Sequence, residues 1–275
     1  MKISKILAAV DSSAHSIACA EYASYIAASL SAELTAMHVI DIVQLEGPFM
    51  YDISGALGFE PFINFSNQIR KALEEKGNNV LSSFENIASK RNVKIKKIME
   101  LGVISSTIID KVSLYDMLFV GRKGVNAAYD RGILGSNIEP IVRKINKPLF
   151  ISEEKFYEID NIIVGYDNSD VAKKALEYAI YFSNYLHSSV TAVAVSQDEN
   201  RSKDMLDNIS DSSVVKESIQ SKNVSSALIK FAESKKNPLL CLGAYSKSRV
   251  VEMILGSTTE NILRQNIEFP LFIAR

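Results

Sequence analysis

Short, unbroken apolar runs recur along the chain. Each is stopped by a polar turn and followed by a longer stretch in which apolar residues return at helical spacing. The runs predict strands at 5–10, 34–40, 94–100, 117–121 and 148–152, and again at 161–166, 189–196, 213–219, 239–243 and 270–274. The periodic stretches predict helices at 14–30, 61–90, 104–114 and 136–145, then 170–187, 200–209, 224–235 and 257–265. Strands that are apolar without alternation are those covered by helices on both faces of a parallel sheet. Alternating strands and helices of this size indicate a doubly wound α/β architecture.

The pattern occurs twice. Lys5-Ile6-Leu7-Ala8-Ala9-Val10-Asp11-Ser12-Ser13 reads like Asn161-Ile162-Ile163-Val164-Gly165-Tyr166-Asp167-Asn168-Ser169, and Glu21-Tyr22-Ala23 like Glu177-Tyr178-Ala179. Val120-Gly121 matches Leu242-Gly243, Ile133-Leu134-Gly135-Ser136 matches Ile254-Leu255-Gly256-Ser257, and Pro148-Leu149-Phe150-Ile151 matches Pro270-Leu271-Phe272-Ile273. Order is preserved throughout, so the chain is a duplication. Asp11 and Asp167 lie 156 residues apart, whereas Gly121 and Gly243, like Pro148 and Pro270, lie 122 apart. The first copy therefore holds 34 extra residues, placed within 44–92. They include an apolar loop (Phe49, Met50, Tyr51, Leu57, Phe59) and a long amphipathic helix through Phe62, Phe65, Ile69, Leu73, Leu81, Phe84 and Ile87, with Gly77 as its weak point. The expected domains are 1–153 and 160–275, joined by a charged, turn-like linker at 153–160.

Composition narrows the function classes. With 275 residues, two domains are the natural expectation, and 47% hydrophobic with 23% charged residues is ordinary for a globular protein. Lys and Arg number 31 against 32 Asp and Glu, so no global field draws in nucleic acid or an anionic membrane. Cys19 and Cys241 are too few for a disulfide scaffold and read as small core residues. His15, His38 and His187 have no ligand spacing, so no metal site is expected, and His38 reads as a hydrogen-bonded strand histidine. The run Ile6–Val10 is too short for a signal peptide or a membrane span, which makes a cytoplasmic protein the expectation.

Candidate chemistry gathers where strands end. In open α/β sheets, ligands bind beyond the carboxyl ends of the strands, where strand order reverses. Asp11 and Asp167 follow the first strand of each copy. Gly121-Arg122-Lys123-Gly124 and Gly243-Ala244-Tyr245-Ser246 follow the fourth, and Gly135-Ser136 and Gly256-Ser257 open the last helix. Glycines allow close backbone approach, and a hydroxyl beside free N–H groups at a helix start suits an anionic oxygen. The competing use of Gly-Ser is plain helix capping. Arg122 and Lys123 are suited to phosphate, although charged loop residues are more often simply solvated. There is no G-x-x-x-x-G-K-[ST], no G-x-G-x-x-G after the first strand and no G-x-S-x-G elbow. Asp41 and Asp167 have no partner at a spacing matched to general acid–base work, and no catalytic residue is assigned.

These residues resemble the universal stress protein family, as two such domains in tandem. ATP-binding members carry G-x2-G-x9-G-[ST]. The first copy has Gly121-x2-Gly124 but ten residues before Gly135-Ser136; the second keeps nine residues before Gly256-Ser257 but has Ser246 for the second glycine. The resemblance implies an adenine-nucleotide alpha-hydrolase-like, Rossmann-like fold: two doubly wound five-stranded parallel-sheet domains of order 3-2-1-4-5. It implies binding of ATP, or AMP or ADP, with Mg2+ accompanying a triphosphate. By position, Ala9 and Asp11 would flank the adenosine moiety and Val39 would offer backbone groups to the base. Val120, Gly121, Lys123 and Gly124 would line ribose and phosphates, and Gly135, Ser136 and Asn137 the phosphate end. The second-copy counterparts are Gly165, Asp167, Val195, Leu242, Gly243, Tyr245, Ser246, Gly256, Ser257 and Thr258. The implied function is nucleotide-dependent regulation of a partner protein in stress. The alternatives are an interaction module with degenerate pockets, or slow ATP hydrolysis. Family members pair through the last strand, so Pro148–Ile151 and Pro270–Ile273 are expected to form an internal pseudo-dimer, with a homodimer as a further expectation. An apolar edge strand left unpaired would be a liability.

Overall fold

The computed structural model describes residues 2–43, 62–125, 135–244 and 256–275, with side chains from residue 67 onward in the second segment. The Phe49–Phe59 loop, Gly132, Ile133, Leu134, Tyr245 and Ser246 lie outside the described residues, as do the side chains of Phe62 and Phe65.

Strands and helices alternate along the chain. The first copy runs β1 (Lys5–Ala9), α1 (Ala14–Leu30), β2 (Glu33–Asp41), α2 (Phe62–Ser89), β3 (Ile95–Gly102), α3 (Ile104–Val112), β4 (Met117–Gly121), α4 (Ile138–Lys144) and β5 (Leu149–Ser152). The second runs β6 (Asn161–Gly165), α5 (Asp170–Leu186), β7 (Ser189–Ser196), α6 (Glu199–Asp207), β8 (Val214–Gln220), α7 (Val224–Glu233), β9 (Pro238–Gly243), α8 (Ser257–Leu263) and β10 (Leu271–Ala274). Each copy has the strand order 3-2-1-4-5 with parallel neighbours. The expected pairing of the two last strands is present, and it joins the two five-stranded sheets. β5 and β10 pair antiparallel, Phe150 opposite Phe272, and fuse both copies into one ten-stranded sheet, β3-β2-β1-β4-β5-β10-β9-β6-β7-β8. The last strands are short and fully buried, and each supplies the ladder partner that the other would otherwise lack.

The core forms a layer on each face of the sheet. One layer packs α1, α2, α5 and α6, with Tyr22, Phe84, Phe182 and Leu206 inside it. The other packs α3, α4, α7 and α8, with Ile108, Ile141, Leu228 and Ile262. The duplication persists in the packing: Tyr22 and Phe150 have ring centroids 5.1 Å apart, and so do Tyr178 and Phe272. Cys19 and Cys241 are buried and unpaired. α1 and α5 start in the same way, with Ser13 and Ser169 in extended backbone, each side chain accepting an N–H from the first turn.

Two features add to the expectation. Residues 153–160 form no regular element, but they are fastened to the core rather than loose. Ile159 is buried, and the Tyr157 hydroxyl donates to the Pro238 carbonyl at 2.8 Å. Gly77 is a contact point and not a break in α2. A Cβ there would meet His38 Cδ2 at 2.7 Å and Met99 Cε at 3.0 Å, so glycine lets the helix lie directly on β2 and β3.

Candidate functional site

Beyond the carboxyl ends of β1 and β4, at the switch point of the first copy, lies a cavity of about 260 Å3. All ten first-copy residues singled out from the sequence line it: Ala9, Asp11, Val39, Val120, Gly121, Lys123, Gly124, Gly135, Ser136 and Asn137. Among the lining residues that sequence reasoning missed are Leu73 and Lys76 from α2, Ile104 and Ile108 from α3, and Ile138 and Ile141 from α4. Leu73 belongs to the apolar stripe of α2, and that periodicity was the available signal. Nothing local marks Lys76.

The floor is built from backbone crossings. Gly121 lines the cavity, but what requires glycine there is α1. A Cβ on Gly121 would stand 2.9 Å from both the carbonyl carbon and the Cβ of His15. Gly243 meets α5 more tightly, with Val171 carbonyl C at 2.6 Å and O at 2.7 Å. These glycines are therefore explained by helix–strand approach before any ligand is considered. Gly124 and Gly135 are different. A Cβ on Gly124 would meet the Asp11 carboxylate at 2.8 Å, and Gly135 packs on the backbone of Arg122 and Lys123. The Gly135 N–H donates to the Arg122 carbonyl at 3.1 Å, which places Gly135 at the end of β4.

Asp11 organises the mouth. One carboxylate oxygen accepts the Ser13 N–H at 2.8 Å and the other accepts the Val125 N–H at 3.1 Å. The Ser13 hydroxyl donates to the Lys123 carbonyl at 3.2 Å. The turn after β1 and the loop after β4 are thus tied into one rim. His38 fits its expectation as a buried strand histidine: Nδ1 lies 2.8 Å from the Val10 carbonyl, which can only accept, so this nitrogen carries the proton.

Asn137 stands at the N-cap of α4 and makes no side-chain capping bond; Gly256 stands at that of α8, its carbonyl accepting the Glu260 N–H at 2.9 Å, and Ser257 is the first helical residue. Arg122 departs from both of its sequence-based readings, solvated or phosphate-facing. Its side chain is only 2% exposed. Nε pairs with Glu153, and Nη1 donates to the Leu263 carbonyl of α8 at 3.0 Å. Burial lowers the guanidinium below its ordinary value and pushes the Glu153 carboxyl up to about 7, against the pull of Arg122. His15 stands beside them, Nδ1 3.9 Å from Glu153 and Nε2 3.5 Å from Glu154, and burial holds it below the usual histidine range.

In the second copy, Asp167 accepts the Ser169 N–H at 3.0 Å and the Ser169 hydroxyl, but stands exposed. A Cβ on Gly165 would meet Leu228 at 3.0 Å and Leu242 at 3.1 Å, so apolar side chains lie against the end of β6. Val195 packs on the same apolar layer, and Thr258 is in the first turn of α8. Tyr245 and Ser246 are not among the described residues.

Fold and cavity together define a duplicated, doubly wound α/β protein with a ligand-sized crevice at the switch point of its first copy. Residues 2–152 match the sequence profile of the Universal stress protein family. Universal stress protein Slr1230 of Synechocystis sp. is 24% identical over 260 residues, covering 89% of this chain and 90% of that protein. A universal stress protein from Archaeoglobus fulgidus superposes with a TM-score of 0.73 at 21% identity, covering 98% of both chains. A putative universal stress protein from Pseudomonas aeruginosa does so at 0.62 and 12% identity, covering 99% of this chain and 93% of that one. The chain belongs to the universal stress protein family, and the structural likeness extends over both copies.

Proposed function

We propose that the chain is a stress-response protein of two domains, 1–153 and 160–275, whose first domain binds an adenine nucleotide and acts as a nucleotide-dependent regulator. The observation that carries this reading is the convergence of the Asp11 rim, the Gly124–Gly135 closure and Lys123 on one cavity at the switch point. The enclosed space is just under the ~300–1,000 Å3 common for small-molecule sites, which suits a nucleoside whose phosphates leave toward the rim. In this reading Val39 presents backbone groups to the base, Val120 and Ile108 supply apolar walls, and Asp11 faces the ribose side. Lys123 and the Gly135–Asn137 segment receive phosphate. Among the described residues, no group of three or more His, Cys, Asp or Glu stands together to hold a metal ion. A Mg2+ arriving with ATP would rest on phosphate oxygens and water. Regulation then means that ligand shifts the population of a form competent to meet a partner protein. For the second domain, the leucines against Gly165 favour the other reading, a scaffold without nucleotide.

The deciding experiment is mass spectrometry of small molecules released on denaturing the purified protein, with a thermal-shift titration by ATP, ADP and AMP. Retained nucleotide, or a shift lost in Gly135→Val, is the expected result. No released nucleotide and no shift with any of the three would refute the reading.

A further inference from the structure

Arg122 sits at the junction of three structures that the nucleotide reading does not connect. Its carbonyl accepts the Gly135 N–H at 3.1 Å, and its own N–H donates to the Ser152 carbonyl at 2.9 Å. Its side chain pairs with Glu153 and reaches the Leu263 carbonyl, at the end of α8 in the other copy. One residue thus holds the closure of the first cavity with its backbone and the second copy with its guanidinium. The second copy reproduces the clasp by different means. Ala244 occupies the place of Arg122, and Arg275, in the place of Glu153, donates to the Val142 carbonyl near the end of α4. Each strand-end region is therefore tied to the base of the neighbouring copy's last helix. Only in the first copy does the tying residue also belong to the cavity's own loop.

We propose that Arg122 is a positioning residue of the first cavity, through which α8 of the second copy fixes the rim that Gly124, Val125 and Gly135 form. A buried guanidinium has few alternative places to go, because leaving its two acceptors would strand a charge in the core. That constraint is passed directly to the loop backbone. Ser152 and His15 brace it from behind: the Ser152 hydroxyl donates to the His15 carbonyl at 2.9 Å, and the same turn packs on Gly121. The functional consequence rests on the nucleotide reading; the mechanical one does not.

The test uses the full chain and the double variant Arg122→Met/Glu153→Met, which replaces the buried pair with apolar side chains and leaves no unpaired charge. Amide hydrogen exchange is followed without ligand. The expected result is about tenfold faster exchange at 124–125 and 135–138, with β7 and α7 unchanged, since the rim loses its anchor while the sheet does not. Exchange at the rim equal to that of the parent overturns the proposal, whether or not nucleotide binds. If the double variant does not fold, Arg122→Lys takes its place. It keeps the charge but loses the planar fork. Rim-confined acceleration supports the positioning role, and uniform acceleration across both copies overturns it. Where the parent binds ATP, the rim-loosened variant is expected to bind about tenfold more weakly. Unchanged affinity with a loosened rim would refute the link to ligand, and absence of binding by the parent would count only against the nucleotide reading.

Discussion

Replacing Gly243 by alanine measures how closely the duplicated α/β unit is assembled. The added Cβ would stand 2.6 Å from the Val171 carbonyl carbon, 2.7 Å from its oxygen and 3.0 Å from the Ala172 nitrogen. Ordinary carbon contacts begin near ~3.5 Å, so the first turn of α5 must withdraw by about 1 Å. All three obstacles are backbone, and that turn is pinned by the Ser169 cap and by Asp167, so no side-chain rotation relieves the clash. Overpacking of this kind costs about 1–3 kcal/mol, and the upper half of that range is expected here. At roughly 2–4 °C per kcal/mol for a chain of this size, Gly243→Ala should lower the melting temperature by about 5–10 °C. Gly121→Ala is the internal control. Its nearest contacts, at 2.9 Å, are looser, and one of them is the His15 side-chain Cβ, so about 1 kcal/mol is expected. Urea and thermal melts of both variants decide the matter. A Gly243→Ala protein melting within a degree of the parent, or more stable than Gly121→Ala, would show that helix–strand contact is not what requires glycine.

Ser13→Ala and Ser169→Ala each remove a cap worth about 1 kcal/mol, visible in urea midpoints. Only the first also frees the Lys123 carbonyl, so it alone should weaken nucleotide binding. Glu153→Gln tests the buried cluster by its pH dependence. Glu153 is held up to about 7 in the folded chain, so between the ordinary glutamate range and that value the folded form keeps a proton that the unfolded form has lost. The resulting stabilisation is complete at low pH and vanishes as pH rises through about 7. The stability of the parent relative to Glu153→Gln should therefore fall by at most ~1.4 kcal/mol per unit between pH 5 and 7. A difference that stays flat or rises with pH would mean that Arg122, with Lys123 and His15 nearby, keeps the carboxylate ionised throughout. Arg143→Ala breaks the 3.1 Å pair with Glu260 across the copies, but the guanidinium is 38% exposed. The loss should stay below about 1 kcal/mol in denaturation curves and shrink with added salt.

What was legible in the sequence was local or repeated. Continuous apolar runs locate the inner strands to within a residue or two, because burial on both faces leaves little freedom of composition; the edge strands β3 and β8 are partly exposed and mixed in composition. The repetition of Asp-x-Ser and of Gly-Ser marks the strand ends, and the first-copy set meets around one cavity. What stayed hidden was long-range or ambiguous in kind. Arg122 reads as a solvated loop charge because nothing within ten residues announces Glu153 or a carbonyl 141 positions away. Glu153 reads as linker for the same reason. Gly121 and Gly243 look like ligand glycines, yet the observed close approach is that of a helix. Gly77 looks like a weak point because its partner, His38, lies on another element. In each case the residue type was informative, and the identity of its neighbour was not.

The antiparallel meeting of β5 and β10 gives the molecule two opposed open ends that the repeat alone does not convey. The carboxyl ends of the first five strands and of the last five point toward opposite edges of one sheet. Under the proposed regulation, a partner of modest size seated at one edge would meet only the copy that opens there. A signal from the other edge would then have to pass through the protein itself, across the paired Phe150 and Phe272 or through the contact of Arg122 with the end of α8. The duplication thus makes a two-ended body whose ends are joined through its centre.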